Sequence, residues 1–408
     1  MTGIEIEADP AEAGFDPDRL ARLDRRLGRF VDEGRLPGWQ VVVSRHGKVV
    51  HASCYGERDV AAHLPVEPDT LFRIYSMTKP VTALAAMMLV EQGELLLTDP
   101  IGTWLPEFAE PRIFAGGTDL EPVTVPAAEP IRVRHLLTHT AGFAYGFLRS
   151  HPVALMYRNA GLDEFGGGGQ TLAEITRQWA SMPLVFEPGS EWQYSIASDV
   201  LGRLIEVISG EPLDAFFDRH ILGPLGMTDT GFVVPEAQRH RLAELYAATP
   251  AGFARADRLA GAALTERWPS GGGGLVSTAR DYQRFTQLLL RDGELDGVRL
   301  LAPATARLMH TNFLPDNQDL ASFGRPLFAE SPLVGVGFGL SLSTTIDVPA
   351  SGMAASVGDY GWGGFASTAF TVDPALELTY EFYTQLMPST AVPVRPLLRQ
   401  LVHQAIVA

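Results

Sequence analysis

Apolar residues recur at helical spacing from about Asp16 to Glu33, where Leu20, Leu23, Leu27, Phe30 and Val31 fall on one stripe. The period then changes. Trp39-Gln-Val-Val-Val-Ser44, a turn at His46-Gly47 and Lys48-Val-Val-His-Ala-Ser-Cys54 read as a β-hairpin, with Lys48 a solvated charge beside the turn. Val81 to Val90 is the longest apolar helical run and stops at Glu91, too short to span a bilayer. Thr171-Leu-Ala-Glu174 is a capping box after Gly166–Gly169 and opens a helix to about Ala180. Ser195 to Ile208 carries helical spacing and stops at Ser209-Gly210, a C-cap signal. Strand chemistry returns in Val336 to Ile346, Phe365 to Val372 and Leu376 to Tyr383, the last two joined by a turn at Asp373-Pro374-Ala375. A helix from about Val394 to Ile406 closes the pattern.

Strands at both ends with helices between them predict an α+β chain. A sheet domain, discontinuous over 1–85 and 240–408, is interrupted by a mostly helical domain over 86–239. The alternating strand–helix order of a doubly wound sheet is missing, and no period of about 20–50 residues marks a solenoid or propeller.

Composition narrows the partners. A formal charge of −16 argues against nucleic acid or an anionic membrane, and the single Cys54 excludes an internal disulfide or a cysteine-built zinc site. MTGIEIEADPAEAGF lacks the basic start and apolar core of a leader, so a cytoplasmic protein is expected. Of 32 basic residues, 30 are Arg and only Lys48 and Lys79 are Lys. A Lys retained against that preference marks a place where Arg would not serve.

Three segments carry candidate chemistry. Ser76-Met-Thr-Lys79 opens the apolar helix. The bland reading of Ser76 is a helix N-cap. The functional one is an S-x-x-K nucleophile, because residues three apart share a helix face and the helix start offers free N–H groups. Tyr194, in Pro188-Gly-Ser-Glu-Trp-Gln-Tyr194-Ser195, is either a packing staple or a hydroxyl delivered to a cleft as a proton relay. Asp359-Tyr-Gly-Trp362-Gly363-Gly364-Phe365 precedes a strand; its glycines make a bulge or let a substrate approach backbone N–H groups. His135 and His139 lack a third ligand and read as structural. Gly166–Gly169 and Gly271–Gly274 lack the GK[ST] of a phosphate loop, and no G-x-S-x-G is present.

In order, Ser76-x-x-Lys79, Tyr194 and Trp362-Gly-Gly364 resemble the serine β-lactamase and penicillin-binding-protein superfamily, and most closely its family VIII carboxylesterases, which look like class C β-lactamases. LFRIYSMTKPVTAL, IRVRHLLTHTAGF, FEPGSEWQYSIASDVLGRLIEVISG, ILGPLGMTDTGF, GGGGLVSTARDYQRF and GDYGWGGFASTAFTVDP are similar to family blocks in family order, from about 70 to 375. The resemblance implies a serine β-lactamase-like fold: a central antiparallel sheet flanked by helices, plus a mostly helical domain, with the site between them. It implies Ser76 as the acylated nucleophile, Lys79 and Tyr194 sharing the general-base and general-acid work, with either able to take the Ser76 proton, and the N–H groups of Ser76 and Phe365 as the oxyanion hole. The family layout places Trp362, Gly363, Gly364, Tyr145 and Phe147 against the substrate, with no metal or organic cofactor.

The departures point to esters. Class C enzymes carry an amide-binding Asn where this chain has Ile196, and a carboxylate-binding Lys where it has Trp362. A Trp wall suits an apolar, uncharged acyl or alcohol group. Hydrolysis of short-chain carboxylic esters through a Ser76 acyl-enzyme is therefore expected, with β-lactam or D,D-peptide hydrolysis and acyl transfer as alternatives. The expected partner is a small-molecule ester.

Overall fold

The computed structural model of the chain describes residues 3–148, 151–162, 169–256, 268–325 and 333–408; of the Gly166–Gly169 run, 166–168 lie outside them. Helix α1 is Pro17–Asp32, capped by the Asp16 carboxylate, which accepts the Arg19 N–H at 3.1 Å. Strands β1 (Gly38–Arg45), β2 (Lys48–Asp59) and β3 (Leu64–Pro65) follow. Three helices used below are α2 (Thr78–Glu91), α3 (Ala197–Ser209) and α4 (Ala279–Leu290). The chain then adds β4 (Val336–Phe338), β5 (Ser343–Thr345), β6 (Tyr360–Gly363), β7 (Ala369–Asp373), β8 (Leu378–Tyr383) and helix α5 (Val394–His403).

The eight strands form one sheet in the order β4-β5-β6-β7-β8-β1-β2-β3. Every neighbouring pair is antiparallel. The first hairpin thus lies beside the last strands, with Val41 opposite Phe382 and Val43 opposite Tyr380. Strand β1 is buried at every position, which explains its unbroken Val-Val-Val. Val41 and Val43 join Leu20, Leu23, Leu27 and Phe30 of α1 and Leu398 and Val402 of α5 in one core, while Val42 joins the core on the other face.

That second face is covered by α4, through Tyr282, Phe285 and Leu288. The Tyr282 hydroxyl donates to the Met77 carbonyl at 2.9 Å and ties α4 to the start of α2. Helix α2 is buried from Thr78 to Leu89, on all sides rather than along one stripe, and it packs against α3. Among the described residues no helix is long and apolar enough to cross a membrane.

One core residue is acidic. Glu381 of β8 is fully buried with Oε1 2.5 Å from the Thr286 hydroxyl, and that hydroxyl also lies 2.9 Å from the Gln283 carbonyl. A hydroxyl has one proton, so it cannot donate to both. A protonated Glu381 donating to Thr286, which donates to Gln283, satisfies both contacts. Burial pushes this carboxyl up to about 8, in agreement with the geometry.

The helix expected at Ala180 ends there, with Thr171 and Glu174 capping reciprocally, and Gly210 closes α3 in the left-handed conformation at φ 72°. Three expectations need correction. Val336 to Ile346 is two strands, because the chain reverses at Gly339–Leu342, where the Gly339 N–H meets the Leu342 carbonyl at 2.7 Å and Ser341 takes φ 64°. Phe365 to Val372 is strand only from Ala369; Phe365–Thr368 is a turn, with Ser367 at φ 69°. The Tyr360–Gly363 stretch, expected as a bulge ahead of a strand, is itself strand β6. The 86–239 segment also holds a hairpin, Arg112–Gly117 with Pro122–Pro126, that the pattern did not disclose because little of it is buried.

Candidate active site

Ser76 sits in a single 3₁₀ turn, Tyr75–Met77, immediately before α2. It is not the N-cap of α2: that position is Met77, and no side chain caps the helix. Tyr75 holds φ 47°, a left-handed conformation that costs a bulky residue on the order of 1–3 kcal/mol. The kink turns the Ser76 hydroxyl away from capping and toward Lys79.

Lys79 is 1% exposed, and its Nζ donates to three oxygens: Ser76 Oγ at 3.2 Å, Tyr145 Oη at 3.0 Å and Gly272 O at 2.6 Å. An ammonium has three N–H donors, so each is matched. The amine also lies 4.5 Å from the Tyr194 ring centroid. A neutral Lys79 anchored on the Gly272 carbonyl can turn its lone pair to Ser76, whereas a guanidinium has none to offer.

Tyr194 is nearly buried, and its hydroxyl accepts the Trp362 indole N–H at 3.2 Å. The same ring faces the Lys79 amine, so the phenol lies between the indole and the ammonium. Tyr145 stacks on Phe147 at 4.9 Å between centroids, and Phe147 meets Phe365 at 5.8 Å. Phe365 in turn packs edge-on against Tyr75 at 6.1 Å. The sequence-derived residues therefore converge, with one change of emphasis: Tyr145, expected only to line the pocket, binds the Lys79 amine.

The turn after β6 is pressed against the nucleophile segment. A Cβ on Gly364 would stand 2.4 Å from the Ile74 carbonyl oxygen, so only glycine fits, and Thr368 Oγ1 donates to that same carbonyl at 3.3 Å. This seats the Phe365 turn beside the segment that carries Ser76, without any local sequence link.

Two contributors were missed. Asp199 of α3, 1% exposed, accepts the Ser270 hydroxyl at 2.5 Å and the Gly272 N–H at 2.9 Å. Burial raises its pKa, while the Lys79 cation and these hydrogen bonds pull it down. Gly272 thus links the Asp199 carboxylate, through its N–H, to Lys79, through its carbonyl. The Gly271–Gly274 run, which cannot be a phosphate loop, serves close backbone approach, since a Cβ at Gly272 would lie 2.5 Å from Asp199 Oδ2. Its signal was a glycine run with no partner motif.

The two histidines work separately. His135 Nδ1 accepts the Arg132 N–H at 3.2 Å, while His139 Nδ1 lies 3.3 Å from Ser195 Oγ, its ring against Tyr194 at 4.9 Å. Burial, reinforced by the Lys79 cation, holds the His139 pKa well below the usual histidine range, so that ring is neutral. Among the described residues no three His, Cys, Asp or Glu side chains group as metal ligands.

Comparison with protein families matches residues 23–404 to the family described as Beta-lactamase. Protein Rv1367c of Mycobacterium tuberculosis is 40% identical over 368 residues, covering 88% of each chain. Esterase EstB of Burkholderia gladioli is 36% identical over 403 residues, covering 93% of each. Among solved structures, EstCE1, described as a hydrolase with promiscuous acyltransferase activity, superposes with a TM-score of 0.80 at 31% identity, covering 96% of this chain and 99% of the other.

Proposed function

The chain belongs to the β-lactamase family, on its family VIII esterase branch, and from that premise we propose how it works as a serine carboxylic ester hydrolase. Ser76 Oγ attacks the acyl carbon while its proton passes to the coupled Lys79–Tyr194 pair. The N–H groups of Ser76 and Phe365 receive the oxyanion. Collapse breaks the acyl–oxygen bond, and the same proton leaves with the alcohol. Water then attacks the Ser76 ester, Lys79–Tyr194 relays its proton back to Ser76, and the carboxylic acid departs.

One observation carries this reading: Lys79 Nζ sits on Ser76 Oγ at 3.2 Å while Tyr194 Oη holds the indole N–H of Trp362. Trp362 replaces a substrate-binding cation with a wall that also donates to the relay. Ile196, fully buried, offers no amide-recognising side chain. Together with Tyr145, Phe147 and Phe365 they favour short, uncharged acyl groups over a β-lactam or a peptide carboxylate. In this reading the 86–239 segment forms the helical domain and contributes Tyr145 and Tyr194 to a cleft completed by the sheet residues.

Acyl transfer is the second reading, supported by the description of EstCE1. The test is p-nitrophenyl acetate and butyrate hydrolysis with Ser76→Ala alongside, plus mass mapping of a trapped acyl group. Turnover that vanishes in Ser76→Ala, with the acyl group on the Ser76 peptide, is expected; equal rates in both proteins overturn the reading. Nitrocefin turned over as fast as butyrate overturns the substrate assignment. New esters on adding alcohols identify transfer.

A further inference from the structure

The turn that carries Phe365 is held from behind by a cation. Arg395, on α5, donates from Nη2 to the Gly364 carbonyl at 2.6 Å and to the Thr368 carbonyl at 3.0 Å. Its guanidinium lies behind the preceding residue, so close that a Cβ on Gly363 would stand 2.4 Å from Arg395 Cζ. The Gly364 carbonyl and the Phe365 N–H belong to one planar trans peptide, in which C=O and N–H point in opposite directions. A guanidinium on that oxygen therefore aims the Phe365 N–H away from α5. It also draws electron density toward oxygen and makes the N–H a stronger donor, because linked hydrogen bonds polarise one another and charge-assisted ones are the stronger kind.

We propose that Arg395 is a positioning residue that strengthens the oxyanion hole by polarising the Gly364–Phe365 peptide; this rests on the reading of Phe365 N–H as an oxyanion donor. The Gly364 carbonyl also accepts the Ser367 N–H at 3.2 Å, so the turn has its own closure and Arg395 adds charge rather than creating the bend. Removing an oxyanion donor outright costs about 10²–10³ in kcat. Weakening one costs less, and about a tenfold fall in kcat with KM within about twofold is expected.

The experiment compares the wild type with Arg395→Gln, which is neutral, and Arg395→Lys, which keeps the cation. Each is labelled with ¹³C-carbonyl Gly and ¹⁵N Phe, and the Phe365 amide is assigned by its loss in Phe365→Leu. In Arg395→Gln the Phe365 ¹⁵N resonance is expected to move upfield and kcat to fall; Arg395→Lys is expected to restore most of both. An unmoved resonance in Arg395→Gln overturns the proposal, as does a moved resonance with unchanged kcat, or a Lys variant no better than Gln. A wild type inactive on every ester overturns the functional reading instead, and the resonance still reports on the Arg395 peptide.

Discussion

Replacing Glu381 by Gln tests whether the sheet's central acid is carried in its neutral form. The carboxyl titrates near 4.5 in ordinary surroundings and is pushed up to about 8 by burial. Below the lower value both folded and unfolded chains hold the proton, and the acid contributes its full stability. Between the two values only the folded chain holds it, so stability falls by about 1.4 kcal/mol per pH unit. The loss across the window is on the order of 5 kcal/mol and levels off above the folded value. The Glu381→Gln side chain would keep the shape, accept no proton and be flat across the same range. Other groups titrate alike in both proteins, so the difference between them isolates this one. Thermal unfolding followed by circular dichroism from about pH 4 to about pH 9 spans the window. At the acid end the two proteins are expected to melt together; by about pH 8.5 the variant gains roughly 4 kcal/mol, or about 5 °C for a chain of this size. Melting curves that stay parallel across the range, or a variant that is the weaker at the alkaline end, would refute the neutral-acid argument.

Lys79→Arg keeps the charge but has no room beside Tyr145 and Gly272 and no lone pair to offer Ser76. Ester turnover is expected to fall about 10³-fold, the range of a lost general base, and a variant as active as wild type would remove Lys79 from the relay. Gly272→Ala places a methyl group 2.5 Å from Asp199 Oδ2. It is expected to cost about 1–3 kcal/mol in stability and to lower kcat, and unchanged kinetics would show that the Asp199–Gly272–Lys79 link does not position the amine.

The elements legible in advance were those whose signal is local. The stripe of α1, the doubly buried Val-Val-Val of β1, the Thr171 capping box and Gly210 each state their structure within a few residues. The exposed hairpin at Arg112–Pro126 was not legible, because little packs against it to impose alternation. In the site, Ser76 and Lys79 share a turn and could be paired from spacing alone. The remaining links are made by the fold: Trp362 with Tyr194, Gly272 with both Asp199 and Lys79, and Arg395 with Gly364. Nothing in Leu378-Thr-Tyr-Glu381-Phe-Tyr383 separates a buried acid from a solvent-facing one; that depends on α4 covering this face.

The distribution of the two lysines makes the molecule unusual as a reagent. Lys79 is sealed among Tyr145, Tyr194 and Gly272, while Lys48 stands exposed at the turn between β1 and β2. Acylating dyes, biotin esters and activated resins therefore meet one accessible lysine on a surface otherwise furnished with arginines. Coupling through its side chain would tether the molecule by this hairpin and leave the active-site amine unmodified, with the chain's α-amino group the competing point of attachment.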